Sequence, residues 1–280
     1  MAILVTGASG QLGYDVVKYF ESNGFDVYSP THSELDITVK DEVTSFFQGK
    51  IIDAVIHCAA YTKVDFAEEE KNHCMLVNVC GTLNLVEQCR ILGIPILYVS
   101  TDYVFSGQGD DEWEVDDPVD PVNIYGLSKL LGEEVVRSYR EHYILRISWV
   151  FGLNGNNFVK TILKLSKTRD VINVVDDQVG SPTYTHDLAP LINEMIFSEK
   201  FGTYHAHNSG VCSWCDFAKE ICRMSGASVI VNPVKTEDYK TKAKRPANSR
   251  LSTKKTEEIY NYKMPPWKDA LGRYLDELSF

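Results

Sequence analysis

The chain has 280 residues, of which 44% are hydrophobic and 24% are charged, a composition typical of a folded globular protein rather than a disordered one. Its formal net charge of −11 argues against nonspecific nucleic-acid binding. No stretch approaches the roughly 18 to 20 apolar residues of a membrane span, and the start lacks a basic leader. We therefore expect a cytoplasmic protein with no nucleic-acid or membrane partner.

The first half of the chain alternates strand and helix signals. The apolar run AILVT at 2–6 precedes a glycine cluster and a stretch of helical periodicity that Gly24 would end. Further strand signals, FDVYS, DAVIHC, PILYVS and YILRIS, are separated by predicted helices at about 39–48, 68–92 and 125–140. Strands that alternate with helices predict an α/β fold, a doubly wound parallel sheet covered on both faces.

After Trp149 the alternation loosens into smaller elements and longer loops. We predict a dinucleotide-binding domain of the Rossmann type at 1–148 and, mainly within 149–280, a smaller α+β substrate-binding lobe. The boundaries are interleaved, because late segments are expected to rejoin the large sheet.

The seven cysteines, an odd number, suggest no disulfide framework. Cys212 and Cys215 form a CxxC motif without a second pair or nearby histidine ligands. We therefore interpret them as core residues rather than as a metal or redox site. The histidines also lack convincing ligand spacing, so no metal site is predicted.

The segment TGASGQLG places Gly7, Gly10 and Gly13 between the first strand and the first helix. A helix N-terminus offers unpaired amide donors and a positive dipole, and glycines allow a pyrophosphate close to the backbone. A glycine-rich turn can also be purely structural. Its position at the start of an alternating chain favours dinucleotide binding.

The residues after the second strand bear on the choice of nicotinamide cofactor. Neither an acid nor an arginine stands directly at the strand tip, where Thr31 and His32 are found instead. These two residues could accept a 2′-phosphate, which favours NADPH, while Glu34 keeps NADH open. Asp36 could serve the adenine side or cap the next helix.

Tyr125 and Lys129 stand four residues apart at the start of a predicted helix, so their side chains share one face. A tyrosine is a poor acid or base at neutral pH, but a nearby ammonium favours the phenolate and would lower the pKa of the tyrosine. The pair is chemically sensible for proton transfer, although the same spacing occurs by chance in many helices.

A hydroxyl, Thr101, follows the strand PILYVS, upstream of this pair and downstream of the glycine turn. This layout resembles the extended branch of the short-chain dehydrogenase/reductase superfamily. Six segments in order are similar to the dTDP-4-dehydrorhamnose reductase family: CAAYTKVDFAEEE, STDYVFSG, YGLSKLLGEE, NGNNFVKT, DDQVGSPTYTHDLA and KAKRPANSRLS. The resemblance runs essentially from end to end.

The resemblance implies NAD(P)H-dependent reduction of the C4 keto group of dTDP-4-dehydro-β-L-rhamnose to dTDP-L-rhamnose, for cell-surface polysaccharide. It implies that Tyr125 protonates the C4 oxygen and that Lys129 holds the nicotinamide ribose. Thr101 would hydrogen-bond the substrate oxygen or the phenol. The cofactor-binding residues so implied, with those proposed from the turn and the strand tip, are Gly7, Gly10, Gln11, Leu12, Gly13, Thr31, His32, Asp36, Ile37, Ala59, Ala60, Tyr61, Thr62, Tyr125 and Lys129.

The resemblance also implies substrate-binding residues, which are Thr101, Asp102, Trp149, Asn157 and Arg245. Trp149 would line the hexose site, although a buried aromatic at a strand end is the structural alternative. Arg245 lies in the basic segment KTKAKRPANSR, where it or Arg250 would bind phosphate oxygens unless the segment is a solvated loop. Asn78 matches an asparagine that supports the active-site helix in extended relatives, or it has a structural role.

The motifs by themselves do not distinguish the reductase from two alternative functions. A reductase that delivers hydride to the opposite face would yield the C4 epimer, 6-deoxy-talose. The regulatory subunit of methionine adenosyltransferase shares this fold and binds dinucleotide without catalysis, but the joint presence of Thr101, Tyr125, Lys129 and Trp149 argues against that role. Some relatives assemble as homodimers through Mg²⁺, and no acidic site can be assigned to that ion here.

Overall fold

The centre of the protein is a parallel sheet, seen in a computed structural model that describes residues 1–278. In chain order the strands are β1 Ala2–Thr6, β2 Asp26–Tyr28, β3 Ala54–His57, β4 Ile96–Thr101, β5 His142–Ile147, β6 Val150–Phe151, β7 Val171–Val175, β8 Val179–Gly180, β9 Thr183–Tyr184, β10 Gly202–Ala206, β11 Cys212–Ser213, β12 Ile230–Val234 and β13 Asn248–Ser249.

The helices cover this sheet and form much of the second half of the chain. The α-helices are α1 Gln11–Ser22, α2 Lys40–Phe47, α3 Val64–Ala67, α4 Lys71–Met75, α5 Thr82–Leu92, α6 Ile124–Arg137, α7 Phe158–Ser166, α8 Thr185–Ile196, α9 Trp214–Ser225, α10 Lys254–Tyr260 and α11 Trp267–Leu278. A π-helical segment, Leu76–Gly81, joins α4 to α5, and short 3₁₀ turns span Asp102–Val104 and Thr236–Asp238.

Within the described residues the main sheet has six strands in the order β2-β1-β3-β4-β5-β10, all parallel. The chain leaves β1 toward β2 on one side and then returns to β3 on the other. Such a reversal opens a crevice at the carboxyl ends of the strands, where open α/β sheets bind ligands. The glycine turn after β1 lies at this crevice.

Two apolar layers bury the faces of the sheet. On one face Val16 and Phe20 of α1 pack with Leu188 and Ile192 of α8 against the strands. On the other face, α2, α5 and α6 contribute a second group of buried residues, which includes Val43, Leu85, Val86 and Val136. Strands buried on both faces read as continuous apolar runs, which is why the runs in the sequence predicted them correctly. The predicted doubly wound α/β fold is confirmed.

The second half of the chain builds a smaller packed unit and also returns to the sheet. Strands β7 and β12 pair in parallel, and α7, α9 and α11 pack with them around Phe151 and Phe217. Strand β10 pairs with β5, and α8 packs on α1. The boundary drawn at residue 149 stays a prediction. Among residues 1–278, no helix combines the length and apolar character that membrane crossing requires.

Helix α6 lies unusually close to β4 because it carries a glycine at the contact. A Cβ atom on Gly132 would lie 2.2 Å from the Tyr98 hydroxyl oxygen and 2.7 Å from the carbonyl oxygen of Asn78. The Tyr98 hydroxyl donates to the carbonyl oxygen of Lys129 at 3.4 Å. The glycine therefore sets how near α6, with Tyr125 and Lys129, approaches the strand.

We predict that Gly132→Ala lowers the free energy of unfolding by about 1 to 3 kcal/mol. The added methyl group overlaps Tyr98 and the backbone of the π-helical segment, and overpacking at a buried contact has costs of this size. Urea unfolding followed by circular dichroism measures the change.

Gly272→Ala in α11 is the matched control, because nothing lies within 4 Å of the added Cβ atom. This change should stabilise the protein by about 0.5 to 1 kcal/mol, since alanine is the better helix former. Equal stability changes in the two variants would contradict the close approach of α6 to β4.

Candidate active site

A cleft of about 680 Å³ lies at the carboxyl ends of β1, β3 and β4. It collects most of the residues that the sequence singled out, and we name it the first cleft. Its lining includes Gly7, Gly10, Gln11, Leu12, Gly13, His32, Asp36, Ile37, Ala59, Ala60, Tyr61, Thr62, Thr101, Asp102, Tyr125, Lys129 and Trp149. One continuous surface thus joins the glycine turn to the tyrosine and lysine pair.

The glycine turn is built by close contacts that side chains would prevent. Gly7 has a φ of +70°, and a Cβ atom there would lie 2.6 Å from the Ala59 nitrogen. A Cβ atom on Gly13 would lie 2.2 Å from the carbonyl oxygen of Gly7. Gly10 is the N-cap of α1 and provides no side-chain hydrogen bond. The first amides of α1 therefore face the first cleft without a capping side chain, which suits an anionic group.

Tyr125 lies on the first turn of α6, which Asn123 caps by accepting a hydrogen bond from the Gly126 amide at 2.7 Å. The phenol is partly exposed to the cleft but is surrounded by protein atoms on its other sides. This burial raises the pKa of Tyr125 well above its usual value, and the nearby Thr101 hydroxyl only partly offsets the effect.

Lys129 is buried beneath the first cleft. Its ammonium donates to the carbonyl oxygen of Val99 at 2.7 Å and lies 3.9 Å from the centre of the Tyr98 ring. Burial lowers the pKa of Lys129 to about 7, while Glu133 acts in the opposite direction. The expectation that Lys129 lowers the pKa of Tyr125 is not met in this structure, because the lysine is directed at Val99 and burial dominates the phenol.

Asp102 follows Thr101 in a 3₁₀ turn and is only 3% exposed. Its Oδ1 accepts a hydrogen bond from the Thr101 hydroxyl at 2.9 Å. Its Oδ2 is buried without a well-aligned hydrogen bond, although Ser249 lies near enough to favour the charged form. Burial nevertheless raises the pKa of Asp102 to about 6. Asp102 itself lines the first cleft.

Trp149 has a φ of +48°, a left-handed conformation that is uncommon for a large side chain. Its ring stacks on Trp214 with the ring centres 3.7 Å apart, and both rings line the first cleft. Trp214, which lies inside the CxxC motif, is not among the site residues predicted from the sequence. Backbone strain such as that of Trp149 clusters at functional sites, which favours a binding role for this cleft.

A second cleft of about 570 Å³ is lined in part by the same residues as the first, Tyr103 and Trp214. Arg245 lies in its wall, where its two terminal nitrogens donate to Asp65 at 3.1 and 2.7 Å. Tyr239, Lys240 and Lys242, which are close to Arg245 in the sequence, add polar and basic groups, and folding brings Gln178 to them. Arg250 instead binds Asn248 and Asp110 and lines neither cleft.

Two predicted site residues do not line either cleft. Asn157 caps α7 by accepting from the Lys160 amide at 2.9 Å, and its amide donates to Gly152 and Tyr274. Its amide also donates to Gln11, which lines the first cleft, at 3.2 Å. The substrate-binding role expected for Asn157 stays a prediction. Thr31 turns away from the first cleft because its hydroxyl donates to Glu34 at 2.8 Å.

Asn78 supports the site from behind, within the π-helical segment. Its side chain accepts from the Tyr61 amide at 2.8 Å and donates to the Ser128 hydroxyl at 2.8 Å. Ser128 in turn donates to the carbonyl oxygen of Tyr125 at 2.7 Å. The asparagine thus connects the loop after β3 to the first turn of α6. Among residues 1–278, no group of three or more His, Cys, Asp or Glu side chains is arranged to hold a metal ion.

The family described as "RmlD substrate binding domain" matches residues 1–280. The chain belongs to this family. It is 41% identical to the spore coat polysaccharide biosynthesis protein SpsK of Bacillus subtilis, covering 99% of this chain and 98% of that protein. It is also 41% identical to dTDP-4-dehydrorhamnose reductase of Aggregatibacter actinomycetemcomitans, with 96% of each chain covered.

A solved structure agrees with this assignment. The dTDP-4-dehydrorhamnose reductase of Bacillus anthracis, described as a complex with NADP, is 39% identical and covers 99% of each chain with a TM-score of 0.96. The family resemblance drawn from the sequence motifs is confirmed.

We predict that Asp102→Asn raises the free energy of unfolding at pH 7 by about 1 to 3 kcal/mol. The folded protein holds the Asp102 proton up to about pH 6, whereas an unfolded aspartate releases it near pH 4. Wild-type stability therefore falls, through this group, as the pH rises from about 4 to about 6. The two proteins should become similarly stable at pH 4, which urea unfolding across this range would measure.

Asp187→Asn is the control with the opposite sign. Burial by itself raises the pKa of Asp187, but hydrogen bonds from His186, Arg273 and Asn208 lower it to about 2. Its contribution to stability is present above about pH 4 and is lost as the pH falls toward 2. Asp187→Asn should therefore destabilise the protein at pH 7, and a loss of stability in both variants would contradict the assignment for Asp102.

Proposed function

We propose that this chain catalyses the NADPH-dependent reduction of the C4 keto group of dTDP-4-dehydro-β-L-rhamnose to dTDP-L-rhamnose, a cytoplasmic step of nucleotide-sugar biosynthesis. The observation that carries the proposal is the convergence of the glycine turn, Thr101, Tyr125 and Lys129 on one cleft. The names of the relatives supply the substrate, which the site itself does not specify.

The residues present fit a dinucleotide cofactor. The uncapped N-terminus of α1 and the close-packed glycines Gly7 and Gly13 would hold the pyrophosphate. His32, Asp36 and Ile37 line the opposite end of the same cleft, where they would contact the adenosine. When bound, NADPH supplies the hydride that adds to C4 of the substrate.

Tyr125 is the proposed acid that protonates the C4 oxygen during reduction. The phenol is protonated at neutral pH, as a tyrosine of ordinary pKa also is, so it carries the proton that the C4 oxygen would receive. Thr101 lies beside the phenol and can hydrogen-bond either the substrate oxygen or the tyrosine. Lys129, whose ammonium is held near the floor of the cleft by Val99, would bind the nicotinamide ribose.

The second cleft is the proposed site for the nucleotide diphosphate of the substrate. It adjoins the first cleft, since Tyr103 and Trp214 line both. Arg245 is oriented there by Asp65, and Lys240 and Lys242 add positive charge. The hexose would then lie between the two clefts, against Trp149 and Asp102, with its C4 directed toward Tyr125.

An activity assay tests the proposal directly. Purified protein should consume NADPH, seen as a loss of absorbance at about 340 nm, only when the 4-keto sugar nucleotide is supplied. Proton NMR of the product should give the C4 configuration of rhamnose. The epimeric signal would instead identify a 6-deoxy-talose-forming reductase, and no substrate-dependent consumption would refute the reductase function.

We expect Tyr125→Phe to lower turnover by about 100-fold or more, because a general acid typically contributes a factor of 10² to 10⁴. Binding of NADPH, followed by fluorescence, should persist. Tyr139→Phe is the control, since it removes a phenol that donates to the carbonyl oxygen of Ile94 at the far end of α6. Near-normal turnover in Tyr125→Phe would remove Tyr125 from the mechanism.

Arg245→Ala is expected to raise the KM for the sugar nucleotide by about 10-fold or more while leaving NADPH affinity unchanged. Charge-assisted hydrogen bonds to phosphate are among the stronger polar contacts. Steady-state kinetics with each substrate varied would separate the two effects. Arg223→Ala, which removes an exposed arginine paired with Glu220, is the control. An unchanged KM in Arg245→Ala would exclude the proposed phosphate contact.

A further inference from the structure

A row of polar side chains crosses the main sheet and reaches the first cleft, whose lining includes Ser100. Ser100 on β4 is in register with Arg146 on β5, and Arg146 is in register with His205 on β10. All three residues are at most 3% exposed. Arg146 donates to the carbonyl oxygen of Val115 at 3.1 Å and lies 4.9 Å from the Phe105 ring. The roles proposed above do not use this row.

Glu133 of α6 joins the row as its only carboxylate among the described residues, and it is fully buried. One carboxylate oxygen accepts from the Ser100 hydroxyl at 2.6 Å and from Arg146 Nε at 2.9 Å. The other accepts from an Arg146 terminal nitrogen at 2.8 Å and from Arg137 at 2.7 Å. Four donors therefore fix the position of Glu133 relative to two strands.

Glu133 belongs to the same helical stripe as the proposed catalytic residues. Tyr125, Lys129 and Glu133 follow one another at intervals of four residues, so they share one face of α6. That face contacts the last three residues of β4. Lys129 binds Val99 and Glu133 binds Ser100, while Thr101 lies beside Tyr125.

We propose that Glu133, through Ser100 and Arg146, is a positioning residue that holds the Tyr125 phenol in register with Thr101. This inference rests on the proposed reductase function. Ser100 is the residue before Thr101, so its bond to Glu133 ties the helix that carries the acid to the strand that carries the substrate-facing hydroxyl. A shift of α6 along β4 would separate the two hydroxyls that act on the same oxygen.

A purely stabilising role explains this arrangement less well. Removing a carboxylate and its arginine partners from water costs about as much free energy as their mutual attraction returns. A buried ion pair therefore adds little to stability. Their geometry is nevertheless strict, because each missing partner leaves a buried charge. Reaction rates are more sensitive than stability to small displacements, and an error of about 1 Å can cost about 100-fold in rate.

Ser100→Ala is the decisive variant, because it removes only the bond between Glu133 and β4 and leaves the charges paired. We expect kcat to fall about 10-fold or more, with the KM for the sugar nucleotide and the Kd for NADPH each within about 2-fold of wild type. Ser181→Ala is the matched control. Ser181 is equally buried and also makes one hydrogen bond, donating to the carbonyl oxygen of Gly210 at 2.8 Å.

If the Glu133→Gln variant folds, it should show the same loss of kcat. If that variant does not fold, the result for Ser100→Ala by itself tests the inference. The inference is overturned if Ser100→Ala keeps the wild-type kcat, or if Ser181→Ala loses kcat equally. Should the wild-type protein show no turnover at all, the proposed function fails separately. Crystal structures of wild type and Ser100→Ala then decide, since a displaced Tyr125 hydroxyl supports the positioning role and an unmoved one refutes it.

Discussion

The close contact between helix α6 and strand β4 is the constraint on which the site depends. Gly132 lets the helix backbone approach Tyr98, and residues on either side of this contact also bind the strand. Lys129 reaches the carbonyl oxygen of Val99, and Glu133 reaches the Ser100 hydroxyl. Because these contacts are short and buried, Tyr125 is presented to the cleft on a rigid support rather than on a mobile loop.

Electrostatics at the site are local, since the protein as a whole carries a formal net charge of −11. The first cleft offers uncapped amides at the N-terminus of α1 and one buried lysine, Lys129. The second offers Arg245, oriented by Asp65, with two further lysines. Preorganised donors of this kind bind anions without a large positive surface, which would also attract unrelated polyanions.

Burial changes the expected acid–base chemistry. From the spacing of Tyr125 and Lys129 alone, a lysine that lowers the pKa of the tyrosine is a reasonable hypothesis. Folding instead surrounds both groups with protein atoms, which raises the pKa of the phenol and lowers that of the lysine. The phenol therefore keeps its proton at neutral pH but is a weaker acid than a free tyrosine.

The sequence by itself determined the sheet, the glycine turn and the positions of Thr101, Tyr125 and Lys129, because each depends on local periodicity or on the end of a strand. Only the tertiary structure decided which distant residues share a cleft, such as Trp214 beside Trp149 and Asp65 beside Arg245. It also showed that Asn157 caps α7. Side-chain direction, burial and long-range pairing depend on packing between segments far apart in the chain, and no local pattern encodes them.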